Sequence, residues 1–373
     1  MISRGALVLF STFACHAVAP AAPKTPRRQS PRPSLPSDSQ LTQEMDRHRV
    51  PGLAIARVED CTLSETRTLG IADQTHGTPV SPSTLFEAAS LSKPVFAYLF
   101  MRAVGRGETG LDTLVADTLR SPRVTDAKGY SALTPRHLLS HRSGLPNWSG
   151  RASDPGRTDP LRFEFPPGES FAYSGEGYFM LQRYLEGFRE QPLSKVFREE
   201  LGQKMPQSTF DPAPTEASRA FGHGADGTTH RGRPLSNSPA IAAFSLKTVV
   251  EDYGRFLATV CRGSDLPAPI HKEMLRPQSP VAPTHFGADS DVLEKNENAQ
   301  IAWALGWGVL DHQGRRVHFH WGDNGVFKAF VAFNLHSGSG VVFFANGKNG
   351  LELVPAVVEP IVGSMKPVME WLN

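Results

Sequence analysis

Residues 317–345 read VHFHWGDNGVFKAFVAFNLHSGSGVVFFA. Three apolar runs, Val317–Trp321, Ala329–Asn334 and Gly340–Ala345, are divided by Gly, Asn, Asp and Ser. Short runs rich in β-branched and aromatic residues, punctuated in this way, predict strands joined by tight turns. Trp307–Leu310 predicts one more strand just upstream. At the opposite end of the chain, Leu53–Val58 (LAIARV) reads as a buried strand and Thr66–Ala72 as its hairpin partner.

Between the two ends the pattern is helical. Ser39–Arg49 predicts a helix that Pro51-Gly52 stops, and Pro82–Thr84 predicts a turn. Ser90–Val104 has the pattern of a long apolar helix closed by Gly105 and Gly107. Shorter helical pieces follow at Pro135–Ser140 and Gly177–Phe188. Thr248-x-x-Glu251 predicts a capping box opening a helix through Leu257, and Leu351–Met365 predicts a closing helix. Strands at both ends with helices in the middle make an α+β fold: one antiparallel sheet built from about residues 50–75 and 300–346, flanked by helices, with a mainly helical lobe inserted at about 105–240. The folded domain is expected over 39–365, with 366–373 as a C-terminal tail. A cleft between sheet and lobe is the default place for a site; how Asn147–Pro160 shapes it is left open.

Composition narrows the function. The 373 residues are 39% hydrophobic and 20% charged, with a net charge of +2, which excludes a disordered chain and a disulfide-rich miniprotein. Arg4, Lys24, Arg27, Arg28 and Arg32 face only Asp38 in the first 38 positions, leaving 34 basic and 36 acidic residues elsewhere. No basic excess remains for phosphates, so nucleic acid is not an expected partner.

Met1–Arg4 is a short positive region and Gly5–Ala14 an apolar run of ten, too short to span a bilayer. Residues 1–19 read as an export signal, with Ala17-Val18-Ala19 as one cleavage pattern and a lipidated Cys15 as the other. Residues 20–38, with six prolines between Pro20 and Pro36, read as a solvated basic spacer. The expected location is exported, either periplasmic or anchored to a membrane through the N-terminus. Cys61 and Cys261 could pair in an oxidising compartment or remain two free thiols.

Three motifs carry chemistry. Phe86-Glu87-Ala88-Ala89-Ser90-Leu91-Ser92-Lys93 contains Ser-x-x-Lys, which on a helix places Ser90 and Lys93 on one face. A desolvated lysine can serve as the base that makes a serine nucleophilic, and a helix start favours a developing oxyanion. About one such match is expected by chance in a chain of this composition, and Pro94 disfavours a helical Lys93. Phe171-Ala172-Tyr173-Ser174-Gly175 puts a tyrosine between small residues, and alone it reads as a turn with a packed ring. His318-Phe319-His320-Trp321-Gly322-Asp323 places two histidines on one face of a strand. They could be polar residues at a strand end or a pair of metal ligands, although no third ligand lies at a helpful spacing. Gly322 would let a substrate approach the strand edge.

Taken in order, these motifs resemble the serine β-lactamase and penicillin-binding-protein superfamily, nearest its branch of class C β-lactamases, D-Ala-D-Ala carboxypeptidases, D-aminopeptidases and esterases. The resemblance covers roughly residues 40–365 and rests on Ser90-x-x-Lys93, Tyr173 and His320-Trp321-Gly322. Val50–Ala54, Arg136–Leu145 and Glu251–Leu257 are also similar to the family; His137 and His141 are taken as structural. The resemblance implies a β-lactamase/transpeptidase-like fold and acyl transfer without a cofactor or metal. Ser90 would attack a carbonyl of a small ester, peptide or β-lactam. Lys93 and Tyr173 would share the proton work, and the N–H groups of Ser90 and Asp323 would hold the oxyanion. His320 stands where the family usually has lysine, and Gly175 where its Tyr-x-Asn has asparagine. Both departures favour an esterase or a peptidase of unusual specificity. They also leave open a slow-turnover binder or sensor of cell-wall peptides or β-lactams. If His320 takes part in the proton network, the rate should show an ionisation near that of histidine.

Overall fold

The computed structural model describes residues 1, 34–154, 156–214, 218–227, 233–281 and 299–372. The export signal, Cys15 and most of the basic spacer fall outside the described residues. The strands are β1 Gly52–Glu59, β2 Thr62–Asp73, β3 Thr78–Pro79, β4 Phe86–Glu87, β5 Lys247–Thr248, β6 Ser279–Pro280, β7 Ala299–Trp303, β8 Gly308–His312, β9 Arg315–Asp323, β10 Lys328–Asn334 and β11 Ser339–Ala345. The described helices are α1 Asp38–His48, α2 Ser92–Gly105, α3 Ala127–Ser131, α4 Pro135–Leu139, α5 Gly175–Arg189, α6 Leu193–Leu201, α7 Val250–Arg262, α8 Ala268–Leu275, α9 Val354–Val357, α10 Glu359–Val362 and α11 Lys366–Leu372.

Nine strands form one sheet in the order β3-β2-β1-β11-β10-β9-β8-β7-β6, with every described pairing antiparallel. The N-terminal and C-terminal strands meet inside it, at its third and fourth positions, where Leu53 pairs with Ala345 and Val58 with Gly340. The sequence shows unbroken apolar runs here because both faces of these strands are covered. Side chains still alternate. Leu53, Ile55, Phe330, Ala332, Val341 and Phe343 pack beneath α1 and the C-terminal helices, whereas Ala54, Ala56, Val331, Phe333, Val342 and Phe344 pack against α2, α7 and the helical lobe. Helix α2 is buried almost all round, from Ser92 to Met101, as befits a helix between a sheet and a second layer.

Four expectations are corrected. The spacer does not run to residue 38: Leu35 is buried, and Ser37 caps α1 through a capping box with Gln40. The box at Thr248 is not formed. Val249 precedes α7, while the Thr248 hydroxyl bonds Ser208 and the Val249 carbonyl. The closing helix over 351–365 is instead a 3-10 turn followed by α9 and α10, because Pro355 and Pro360 each start a new helix in its first turn. Residues 366–372 are no tail; they form α11, whose Trp371 is buried beneath the sheet.

Cys61 and Cys261 are joined in a disulfide across a sequence separation of 200 residues. It ties the β1–β2 turn, where Asp60 and Cys61 both take positive φ, to the end of α7.

Candidate active site

The chain enters the site along β4, which pairs with β5 through Phe86↔Thr248 and Glu87↔Lys247. It then turns sharply. Ala89 holds φ at 49°, a left-handed conformation that costs a residue with a Cβ about 1 kcal/mol or more. The turn is pinned from three sides. Ala88 N donates to Leu246 O at 2.8 Å; the Ser92 hydroxyl donates to Ala89 O at 2.6 Å and accepts from Leu246 N at 3.0 Å. Ser90 therefore lies in a single 3-10 turn, residues 89–91, just ahead of α2. Pro94 is accommodated because it falls in the first turn of α2, where an N–H would have no helical acceptor.

Lys93 is 1% exposed, and its Nζ donates to Ser90 Oγ at 3.1 Å and to Ala243 O at 2.8 Å. Burial brings its pKa down to about 7, so near neutrality a large share of this amine is uncharged and able to accept a proton. The same Nζ sits 4.7 Å from the centre of the Tyr173 ring.

Tyr173 is held from its neighbours in sequence. Ser174 caps α5, accepting from Gly177 N, and its own N–H donates to His141 Nδ1 at 3.0 Å. The Tyr173 ring packs 4.3 Å from that of His141 and 5.1 Å from that of Trp321, centre to centre. Burial pushes the Tyr173 hydroxyl above its ordinary value, partly opposed by the Ser90 hydroxyl, so the resting phenol is neutral. His141 is fully buried and held well below its ordinary pKa by burial, then by Lys93. It is a neutral acceptor that fixes the entry into α5 after Tyr173.

Ser90, Lys93, Tyr173 and Asp323 converge on one cleft of about 490 Å³. Trp148, Phe244 and Trp321 wall it, and Asn147, Arg151 and Asn324 add polar groups. The Asp323 side chain faces a lysine, with Lys328 Nζ at 2.5 Å.

Three expected site residues do not line this cleft. His320 is fully buried, packing 6.2 Å from Tyr173 and 5.4 Å from Trp303, with Nδ1 donating to Trp321 O at 2.8 Å. Burial first, and the Lys93 charge second, bring it down to about 3. It is neutral through the physiological range and supplies neither a fixed cation nor an ionisation near 6.5. A Cβ on Gly322 would meet Ala88 O at 2.5 Å and Ala89 Cβ at 3.2 Å. This glycine therefore admits the turn ahead of Ser90, not a substrate. A Cβ on Gly175 would meet the Trp148 indole at 2.2 Å. The place of the family's asparagine is taken by tryptophan, and Gly175 N donates to Asn147 Oδ1 at 3.0 Å.

Apart from Phe244, the lining residues that the motifs did not reveal belong to the Asn147–Pro160 segment. It is clamped from beneath by Glu176, 1% exposed, which accepts from Arg123 at 2.9 and 3.1 Å, from Arg157 at 3.0 and 3.1 Å and from Ser149 N at 3.1 Å. Burial alone would raise the Glu176 carboxyl, but the two guanidiniums hold it below the usual range. The only signal in the sequence was a tryptophan and two arginines, Arg151 and Arg157, in a segment without periodicity. His318 Nε2 donates to Leu275 O at 2.9 Å, and among the described residues no group of three metal-ligating side chains forms around either histidine.

The family model described as Beta-lactamase matches residues 38–357. The chain is 28% identical over 319 residues to penicillin-binding protein 4 of Amycolatopsis lactamdurans, covering 79% of this chain and 80% of that one. It is 36% identical over 112 residues to esterase EstB of Burkholderia gladioli, covering 30% of this chain and 29% of that one. The structure of an octameric penicillin-binding protein homologue from Pyrococcus abyssi matches with a TM-score of 0.69 at 19% identity, over 84% of this chain and 73% of that one. At that identity the likeness shows the fold.

Proposed function

This chain belongs to the Beta-lactamase family, and from that premise we propose that it is an exported serine hydrolase cleaving ester or amide bonds through an acyl-enzyme on Ser90. The observation that carries the reading is the buried amine of Lys93, 3.1 Å from Ser90 Oγ at the floor of an open cleft.

In this reading uncharged Lys93 takes the Ser90 proton as Oγ forms a bond to the substrate carbonyl carbon. The carbonyl oxygen becomes the oxyanion and is held by the N–H groups of Ser90 and Asp323. The intermediate collapses by breaking the bond to the leaving group, which takes its proton from Lys93 by way of the neutral Tyr173 hydroxyl. Water then attacks the acyl carbon, giving its proton back through the same pair and freeing Ser90.

Esters lead among the substrates. His320 is neutral and out of the cleft, and Gly175 offers no side-chain amide, so two groups for a carboxylate-bearing amide substrate are missing from their usual places. The same two features support the second reading, a binder that acylates and turns over slowly. The Cys61–Cys261 disulfide supports an oxidising, exported location. Mass analysis of the mature N-terminus tests this: a chain beginning after Ala19 or at a lipidated Cys15 fits export, and an intact Met1 in the cell fraction contradicts it.

The test of the activity is rapid-mixing release of nitrophenol from p-nitrophenyl acetate. Wild type should show a burst near one equivalent followed by steady turnover, both absent from Ser90→Ala. A burst with no later turnover moves the binder reading ahead, and equal rates in the two proteins overturn the Ser90 assignment.

A further inference from the structure

A second cavity, of about 420 Å³, shares a wall with the cleft. Arg157 forms the partition: its guanidinium lies 5.4 Å from the Trp148 ring, which lines the cleft, and 4.4 Å from the Phe179 ring, which lines the second cavity. The volume falls within the range of about 300–1,000 Å³ usual for small-molecule sites.

Its lining is two-sided in character. Leu119, Leu161, Phe179 and Met180 supply an apolar surface. Against it stand four arginines, Arg120, Arg123, Arg157 and Arg183, with a single carboxylate, Glu176. That carboxylate is wholly engaged by Arg123 and Arg157, which therefore shape the site and raise its potential rather than bind directly. The remaining two guanidiniums are available. Arg120 is exposed and makes no ion pair or hydrogen bond among the described residues. Arg183 is 60% exposed and commits one nitrogen, at 2.8 Å, to Glu186.

We propose that this cavity binds a small amphiphilic anion: a carboxylate gripped by Arg120 and Arg183, with an apolar chain laid along Phe179 and Met180. A guanidinium's planar fork matches a carboxylate, and two of them beside an apolar wall select for an anionic head with a short tail over a neutral or cationic one. The proposal concerns a site apart from Ser90 and does not depend on hydrolysis.

Calorimetric titration of the whole protein with octanoate tests it, beside octan-1-ol and octyltrimethylammonium. Octanoate should bind at about one per chain and the cation should not. The double variant Arg120→Gln/Arg183→Gln should weaken octanoate by at least about tenfold while hydrolysing p-nitrophenyl acetate at the wild-type rate. Arg151→Gln, at the catalytic cleft, should leave octanoate binding unchanged. No octanoate binding, binding indifferent to the double substitution, binding lost in Arg151→Gln, or equal binding of the cation would each overturn the assignment.

Discussion

In the proposed mechanism the chemistry turns on Lys93. Its burial costs stability: the group is held near pKa 7 when folded but titrates near an ordinary lysine value when unfolded. The penalty is complete below about pH 7 and fades as pH rises from there toward about 10.4, so this group makes stability climb with pH over that window. Lys93→Met should accordingly lower kcat/KM by about 10²–10⁴ while the melting temperature holds or rises; a variant that loses activity only by unfolding would contradict this. The rate should rise with pH through about 7 as Lys93 loses its proton. His320→Gln should keep that limb, because His320 is already neutral there. Loss of the limb in His320→Gln would return the titration to the histidine. Ser90, Lys93 and Tyr173 were legible because their spacing is a property of the chain. The neutrality of His320 was not, since it follows from burial among Trp303, Trp321 and Tyr173, which are brought together only by folding.

At the scale of elements, the site depends on two close approaches and one clamp. Gly322→Ala would force β9 away from the Ala88–Ala89 turn and should depress kcat on p-nitrophenyl acetate far more than it lowers the melting temperature. Gly175→Asn restores the family's residue in name only. Its Cβ collides with Trp148, so it should destabilise by about 1–3 kcal/mol and gain no β-lactam hydrolysis, checked by denaturant titration and a nitrocefin assay. Glu176→Ala leaves the buried Arg157 and the half-buried Arg123 without their carboxylate and should cost about 3–5 kcal/mol in denaturant unfolding. A loss below about 1 kcal/mol, the range of an exposed pair, would contradict the clamp. The strands and α2 were readable from periodicity, which is local. The capping box at Thr248 failed because the Thr248 hydroxyl found Ser208, forty residues away, instead of its own helix. The closing helix failed because its prolines start helices as readily as they end them.

For the whole molecule, the sheet joins N-terminal to C-terminal strands through β1 and β11, and the disulfide fastens β1–β2 to α7 across 200 residues. Closing a loop of that length stabilises by about 5 kcal/mol in the chain-entropy account. Cys61→Ser/Cys261→Ser should lower the melting temperature clearly, with kcat unchanged at a temperature where both proteins are folded. An equal melting temperature with and without reductant would show that the bridge carries no load. The α+β architecture was legible because strands cluster at both termini, whereas the choice between paired and free cysteines needed the fold to bring residues 61 and 261 together.

The central claim is covalent: an acyl group resides on Ser90 during turnover. Acid-quenching the reaction with p-nitrophenyl acetate and mapping the peptides by mass spectrometry tests it directly. The account predicts one acetyl group per chain, on the peptide carrying Ser90 and absent from Ser90→Ala; steady hydrolysis with no adduct, or an adduct on another residue, would contradict it.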